Sequence, residues 1–328
     1  ERFSAVIVNR VWTRLMGAGL VPSLNDWEHQ QPSHPDLLRW LSHQFVQSGY
    51  DIRHVMRLIM TSDVYSRQSV DPSTGQDSQP QFFAAPVTRR LTAEQIVDSL
   101  FTATGRAMDC EELTFVHDGR RPLSNRLTLD VPDRAWMMAT LNNERDRPSL
   151  SLPKARAIVD VLQAFGWNGS RQEPIHHRES ESNVLQPGVL ANGILSTTLS
   201  RAAINSPLAD LAVDAKTPVE LVESLFLRFL TRRPSDGESG FFSSQLSPGF
   251  ADRVIRPKDR IAPTSPPPLP LVHWFNHLRP RANEIQHQNE KRVRQGPPAD
   301  PRLQSAWRTR YEDVIWTLIN HDEFVWMP

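Results

Sequence analysis

Cysteine is almost missing: Cys110 is the one copy in 328 residues. An internal disulfide and any multi-cysteine metal site are therefore excluded. Glycine is scarce at 14 copies, below its roughly 7% norm. There is no glycine-rich phosphate loop, no Gly-x-Ser-x-Gly and no His-Glu-x-x-His, so the common phosphate, serine-hydrolase and zinc-protease signatures are lacking. No run of 18 apolar residues occurs, which leaves no helical membrane span. Net charge is lacking as well, with 37 Lys plus Arg against 37 Asp plus Glu. A formally neutral chain is not a dedicated nucleic-acid or polyanion binder, although a local patch stays open.

What is present fits a folded chain. Apolar residues make up 39% and charged residues 23%, enough for a packed core. The 27 prolines exceed the roughly 5% norm. At roughly 150 residues per domain the length suggests about two domains, or one large one with additions. The chain opens at Glu1 inside an amphipathic pattern, which points to a piece of a longer polypeptide.

Helical periodicity dominates. Phe3, Ile7, Val11 and Leu15 share one face, flanked by Val8 and Trp12. Gly17 and Gly19 offer a stop. Ser33-His34-Pro35-Asp36 reads as a helix start ahead of Leu37, Leu38, Leu41 and Phe45. Asp51 caps a third helix whose buried side is expected to carry Ile52, Val55, Met56, Ile59 and Met60. Thr92-Ala93-Glu94-Gln95 is a capping box, and so is Thr217-Pro218-Val219-Glu220; Ser235 with Glu238 repeats the device. Pro153 starts a helix running to Gly166, and Trp307, Tyr311, Val314, Ile315 and Leu318 mark the last one.

Other stretches lose the period. Residues 70–86 read as a polar loop. Residues 106–150 read as irregular, with a short ribbon expected between Leu113–Val116 and Arg126–Val131. Nine prolines fall within Ile261–Pro301, where polyproline II is the expected conformation. The resulting expectation is a mainly α protein, an irregular helical bundle with long ordered loops and room for one small β-ribbon. Its expected divisions are a main helical domain over 1–260, a proline-rich excursion over 261–301, and a C-terminal helix and tail over 302–328 packing back on the main domain.

A longer string is distinctive. It comprises Asn9-Arg10-Val11-Trp12, Gly17-Ala18-Gly19-Leu20-Val21, Asp26, and Pro32-Ser33-His34-Pro35-Asp36-Leu37-Leu38-Arg39-Trp40-Leu41. Ser62-Asp63-Val64-Tyr65-Ser66, Arg89-Arg90-Leu91-Thr92-Ala93-Glu94 with Asp98, Phe229-Leu230-Thr231-Arg232-Arg233-Pro234 and Tyr311-Glu312-Asp313-Val314-Ile315-Trp316 follow. These residues resemble the planctomycete-type domain of unknown function catalogued as domain fifteen-fifty-three. The resemblance is dense over 1–105 and thin over 106–150 and 245–300. It implies a large, exported, extracytoplasmic parent protein with upstream domains, one of them often cytochrome-c-like. It carries no reaction and no catalytic residues. This chain has no Cys-x-x-Cys-His, so no cofactor is expected in it, and a haem belongs only to an upstream domain.

Candidate sites follow from side-chain chemistry. His34 lies at a helix start, where the positive helix end suits a neutral base; capping or loop packing is the plainer role. Glu94 and Asp98 are four apart and project from one helical face, as a carboxylate pair dividing acid and base work would. The same pair near Arg89 and Arg90 reads more plainly as a structural ion-pair cluster, and Arg10 with Asp26, or with Glu94 and Asp98, would form a buried polar network; Arg10, Asp26 and Arg90 are carried as binding candidates. His176 and His177, beside Glu179 and Glu181, loosely suggest a ligand cluster. His273 and His277 have helical ligand spacing but sit between Pro270 and Pro280. No third ligand is identifiable at either place, so no metal site is expected. The carboxylates beside Cys110 disfavour a reactive thiolate. Trp136 and Trp167 are the tryptophans best placed to offer a sugar platform, with core packing as the alternative.

Three functions remain in view: a non-catalytic interaction or ligand-binding module, a glycan-directed hydrolase-like enzyme, and a docking partner for an upstream cytochrome-c-like domain. Expected partners are upstream domains of the same polypeptide and carbohydrate, not nucleic acid.

Overall fold

The structure, a computed structural model, describes residues 2–23, 27, 30–70, 83–111, 131–138, 148–169, 182–263, 266–272 and 276–327. It is mainly helical, and the chain divides into two compact units. The first comprises Glu1–Arg90 and Trp326–Pro328, the second Leu91–Val325.

In the first unit, α1 (Arg2–Met16), α2 (Pro35–Gln47) and α3 (Ile52–Met60) pack around Val8, Trp12, Met16, Leu41, Phe45, Val55 and Ile59. Two start signals operate in this unit, though His34 makes no side-chain cap. Pro35 occupies the first turn of α2, and the Asp51 carboxylate accepts from Arg53 N at 2.8 Å. The buried stripes are narrower than periodicity suggests. On α1 the interior row is Ser4, Val8, Trp12 and Met16, one residue on from the expected row, and Phe3 is 64% exposed. On α3 only Val55 and Ile59 are buried, and Ile52, Met56 and Met60 face outward. Adjacent i, i+4 rows on a helix are separated by about 100°, so a seam between helices covers one row and leaves its neighbour at the edge.

Asn9 anchors the turn after α1. Its Nδ2 donates to Val21 O and its Oδ1 accepts from Val21 N, both at 3.0 Å. Gly17 there has φ +83°, and a Cβ at this position would lie 2.8 Å from Val87 O, so both backbone and space require glycine. A two-residue antiparallel sheet pairs β1 (Arg89–Arg90) with β2 (Trp326–Met327). The ribbon expected over 113–116 and 126–131 falls outside the described residues, apart from Val131.

The second unit contains α4 (Ala93–Thr104), α5 (Pro153–Ala164), α6 (Leu185–Asn192), α7 (Ile194–Leu199), α8 (Pro207–Asp214), α9 (Pro218–Phe229), α10 (Asp236–Leu246), α11 (Ala282–Gln295), α12 (Ser305–Ile319) and α13 (Asp322–Val325). Thr92 with Gln95, and Ser235 with Glu238, form complete capping boxes. The core gathers Ile96, Leu100, Ile158, Leu162, Leu225, Phe226, Trp307, Tyr311 and Ile315. Burying aromatics obliges their polar tips to find partners. Trp307 Nε1 donates to Leu246 O and the Tyr311 hydroxyl to Leu208 O, each at 2.9 Å.

The expectation of polyproline II throughout 261–301 is corrected by α11. No proline falls between Pro280 and Pro297, so that stretch keeps every backbone donor a helix needs. The segment after α11 is stitched down by Ile204 N to Pro298 O and Asp300 N to Ala202 O, both at 3.0 Å.

Candidate functional site

A cleft of about 270 Å³ opens in the second unit. It lies among the C-terminal end of α4, the start of α5, the length of α7 and the C-terminal end of α11. Phe101, Ile158, Leu195, Leu199 and Val293 supply apolar surface, and Arg106, Asp109, Lys154 and Arg292 supply charge.

Each charged group is placed by a local device. Gly105 ends α4 in the left-handed conformation, and Arg106 N donates back to Phe101 O at 3.0 Å. This is the six-to-one bond of a glycine-terminated helix, and it turns the chain so that residue 106 leaves the helix axis. The Arg106 Nη1 donates to Thr198 O at 3.0 Å, near the C-terminal end of α7, where a cation meets the negative helix pole. Burial lowers the Arg106 pKa below its ordinary value, and the charge of Asp109 opposes that shift.

The segment 109–111 runs along the start of α5. Lys154 N and Ala155 N donate to the Glu111 carboxylate at 3.0 and 2.8 Å. A carboxylate there satisfies free helix-start amides and meets the positive pole. Lys154 Nζ lies 2.6 Å from both oxygens of Asp109. Cys110, between them, is buried, and its thiol is pushed up to about 12 by burial and then by Glu111 and Asp109. It is not a nucleophile at neutral pH.

α11 forms the remaining wall. Arg292 Nη1 donates to Pro267 O at 2.7 Å. Gly296 follows the helix with φ +68°, and a Cβ there would come within 3.0 Å of Thr198 Cγ2. Thr198 therefore touches both sides of the cleft, through its carbonyl to Arg106 and through its methyl to the end of α11.

The electrostatic balance is uneven. Asp109 neutralises Lys154. Arg106 and Arg292 bond main-chain carbonyls, which carry no net charge, and among the described residues neither is in an ion pair.

The residues singled out from sequence are spread elsewhere. Glu94 and Asp98 do share a face of α4 and are half-buried. Asp98 Oδ1 accepts from Ala135 N at 2.9 Å and so fixes the short turn Ala135–Met137; neither carboxylate lines the cleft. Trp136, in that turn, is 63% exposed, whereas Trp167 is 3% exposed and packs in the core. Burial on that scale removes the Trp167 ring from any sugar face. In the first unit His34 precedes α2 without capping it, touching Ser33 Oγ at 3.1 Å and packing on the Phe83 ring. Arg10 is exposed on α1, so no buried network is built on it. Arg90 is half-buried in β1, and burial lowers its pKa. Asp26, His176, His177 and His273 lie outside the described residues. Among the described residues no three His, Cys, Asp or Glu side chains converge as a metal site. None of their helices is long and apolar enough to cross a membrane.

Arg106, Asp109, Lys154 and Arg292 were not singled out by any motif. The one local signal is Gly105, whose stop positions Arg106.

A family model described as PSD1, Protein of unknown function (DUF1553), matches residues 1–246. The chain belongs to this family. The match covers three quarters of its length and ends with the last residue of α10. The matched part of the chain contains Arg106, Asp109, Lys154 and Thr198, and the α11 wall with Arg292 lies beyond it. No curated protein and no solved structure matches this PSD1 chain.

Proposed function

We propose that this PSD1 chain is a ligand-binding module of a larger, exported polypeptide, and that the cleft of the second unit is its binding site. The observation that carries this reading is the pairing of hydrocarbon surface with two half-buried guanidinium groups, neither of which is in an ion pair among the described residues. Convergent polar groups over an apolar lining are the usual composition of a small-molecule site. The cleft offers no nucleophile beside a base, and its one lining carboxylate, Asp109, is spent on Lys154. The hydrolase reading needs two free carboxylates in one pocket. Asp98 instead holds the turn at Ala135.

The test is a calorimetric panel of small acids, amines, neutral alcohols and sugars against the 328-residue chain. One class is expected to bind saturably at one site per chain. Ile194→Trp, which fills the cleft from α7, is expected to abolish that binding while the melting temperature holds. Absence of binding by every class to the folded chain overturns the reading. So does turnover of a glycoside that is lost in Asp98→Asn.

A further inference from the structure

The cleft's charge and shape also specify its ligand, an inference that rests on the binding reading above. We propose that the site selects a small organic carboxylate, its anionic head held between Arg106 and Arg292 and its hydrocarbon body laid against Phe101, Ile158 and Leu195.

The guanidinium groups supply the first argument. Arg106 and Arg292 are each half-buried, and each spends only Nη1 on a main-chain carbonyl. Among the described residues the Nε and Nη2 of both make no hydrogen bond. That leaves on each a planar pair of donors, the geometry that accepts a carboxylate through two parallel bonds. Asp109 acts on Arg106 without contacting it, and among the described residues neither guanidinium is in an ion pair, so an anionic ligand would give both a direct charged partner.

The second argument concerns proximity. Arg106 is tied to Thr198 O, and Thr198 Cγ2 lies within 3.0 Å of where a Gly296 Cβ would stand. Arg292 is four residues, about one helical turn, before Gly296. One residue of α7 thus holds the Arg106 side and the Arg292 side of the cleft together. The close approach at Gly296 is what allows it.

The third argument excludes alternatives. An inorganic anion makes no use of the hydrocarbon side chains in the lining. A volume of about 270 Å³ falls just below the roughly 300–1,000 Å³ of drug-sized sites. It suits one ring or a short chain and is too small for an oligosaccharide.

The experiment uses isothermal calorimetry on the 328-residue chain with octanoate, octanol, octylamine and inorganic phosphate. Octanoate is expected to bind at one site per chain, and the other three are not. Arg106→Gln and Arg292→Gln are each expected to weaken octanoate about 10- to 100-fold, the usual loss of a hydrogen bond to a charged group. Arg292→Lys should recover part of that loss. Circular dichroism melts identify any variant that fails to fold, and Arg292, on the outer wall, is the substitution the fold tolerates better. Octanol binding as tightly as octanoate, with no effect of either Gln variant, overturns the carboxylate assignment and leaves the binding cleft standing. Phosphate displacing octanoate at equal concentration also overturns it. Failure of all four probes overturns this inference, and the binding reading falls only if the wider panel fails too.

Discussion

Arg253 shows how one residue terminates a helix in the interior. Its Nε donates to Ala212 O at 2.7 Å, its Nη1 to Phe250 O at 2.8 Å, and its Nη2 to Val213 O at 3.1 Å and to Ala215 O. The guanidinium carbon lies 3.7 Å from the centre of the Phe250 ring. The last carbonyls of α8 would otherwise be buried without donors, and the negative helix pole favours a cation there. The partners are neutral, so burial lowers the Arg253 pKa. Arg253→Met keeps the stem and removes the donors. Urea unfolding is expected to show a loss of about 2–4 kcal/mol, because several carbonyls are left unsatisfied. Arg253→Lys should restore less than half, since an ammonium lacks the planar fork. A Met variant as stable as the parent would contradict this role. Asn9 acts in the same way for the first unit, closing both bonds on Val21.

Among the elements, α10 carries a pH-sensitive start. Glu238 completes the Ser235 capping box, and Arg232 holds both of its oxygens at 2.7 and 2.8 Å while reaching Glu323 on α13. The hydrogen bonds from Arg232 bring the Glu238 carboxyl down to about 2, against about 4.3 in an unfolded chain. A carboxyl with a depressed native pKa contributes stability that is complete above the unfolded value and is lost as pH falls through the native one. Melting temperature should therefore drop between pH ~4.5 and ~2, and Glu238→Gln should flatten that part of the profile. The group is a quarter exposed, so solvent screening holds the effect to about 1 kcal/mol. An unchanged profile in the Gln variant would count against it. Helix starts of this kind are legible in sequence because a cap involves residues three apart. The buried row was less legible. Periodicity places Val8 and Trp12 at the flank of a Phe3–Leu15 face, and which of two adjacent rows enters a seam depends on the neighbouring helices.

At the scale of the whole molecule, neutrality has a measurable consequence. With equal numbers of acidic and basic residues and a sequence pI near 7.4, repulsion between copies is weakest near neutral pH. Light scattering should show the poorest colloidal stability of the 328-residue chain near pH ~7.4, improving on either side. Equal scattering from pH 5 to 9 would contradict this. The helical class, the capped starts and the glycine stops followed from composition and short spacing, because those properties are set within a turn or two of chain. The cleft did not. Arg106, Lys154, Thr198 and Arg292 belong to four segments distant in sequence, and none carries a motif. Their convergence depends on long-range packing, on a glycine at 296 that permits close approach to Thr198, and on which charges find partners. The same packing put Asp98 to work on a backbone amide and Trp167 into the core. Local sequence specifies what a side chain can do, and burial and partnership, which arise only when distant segments meet, specify what it does.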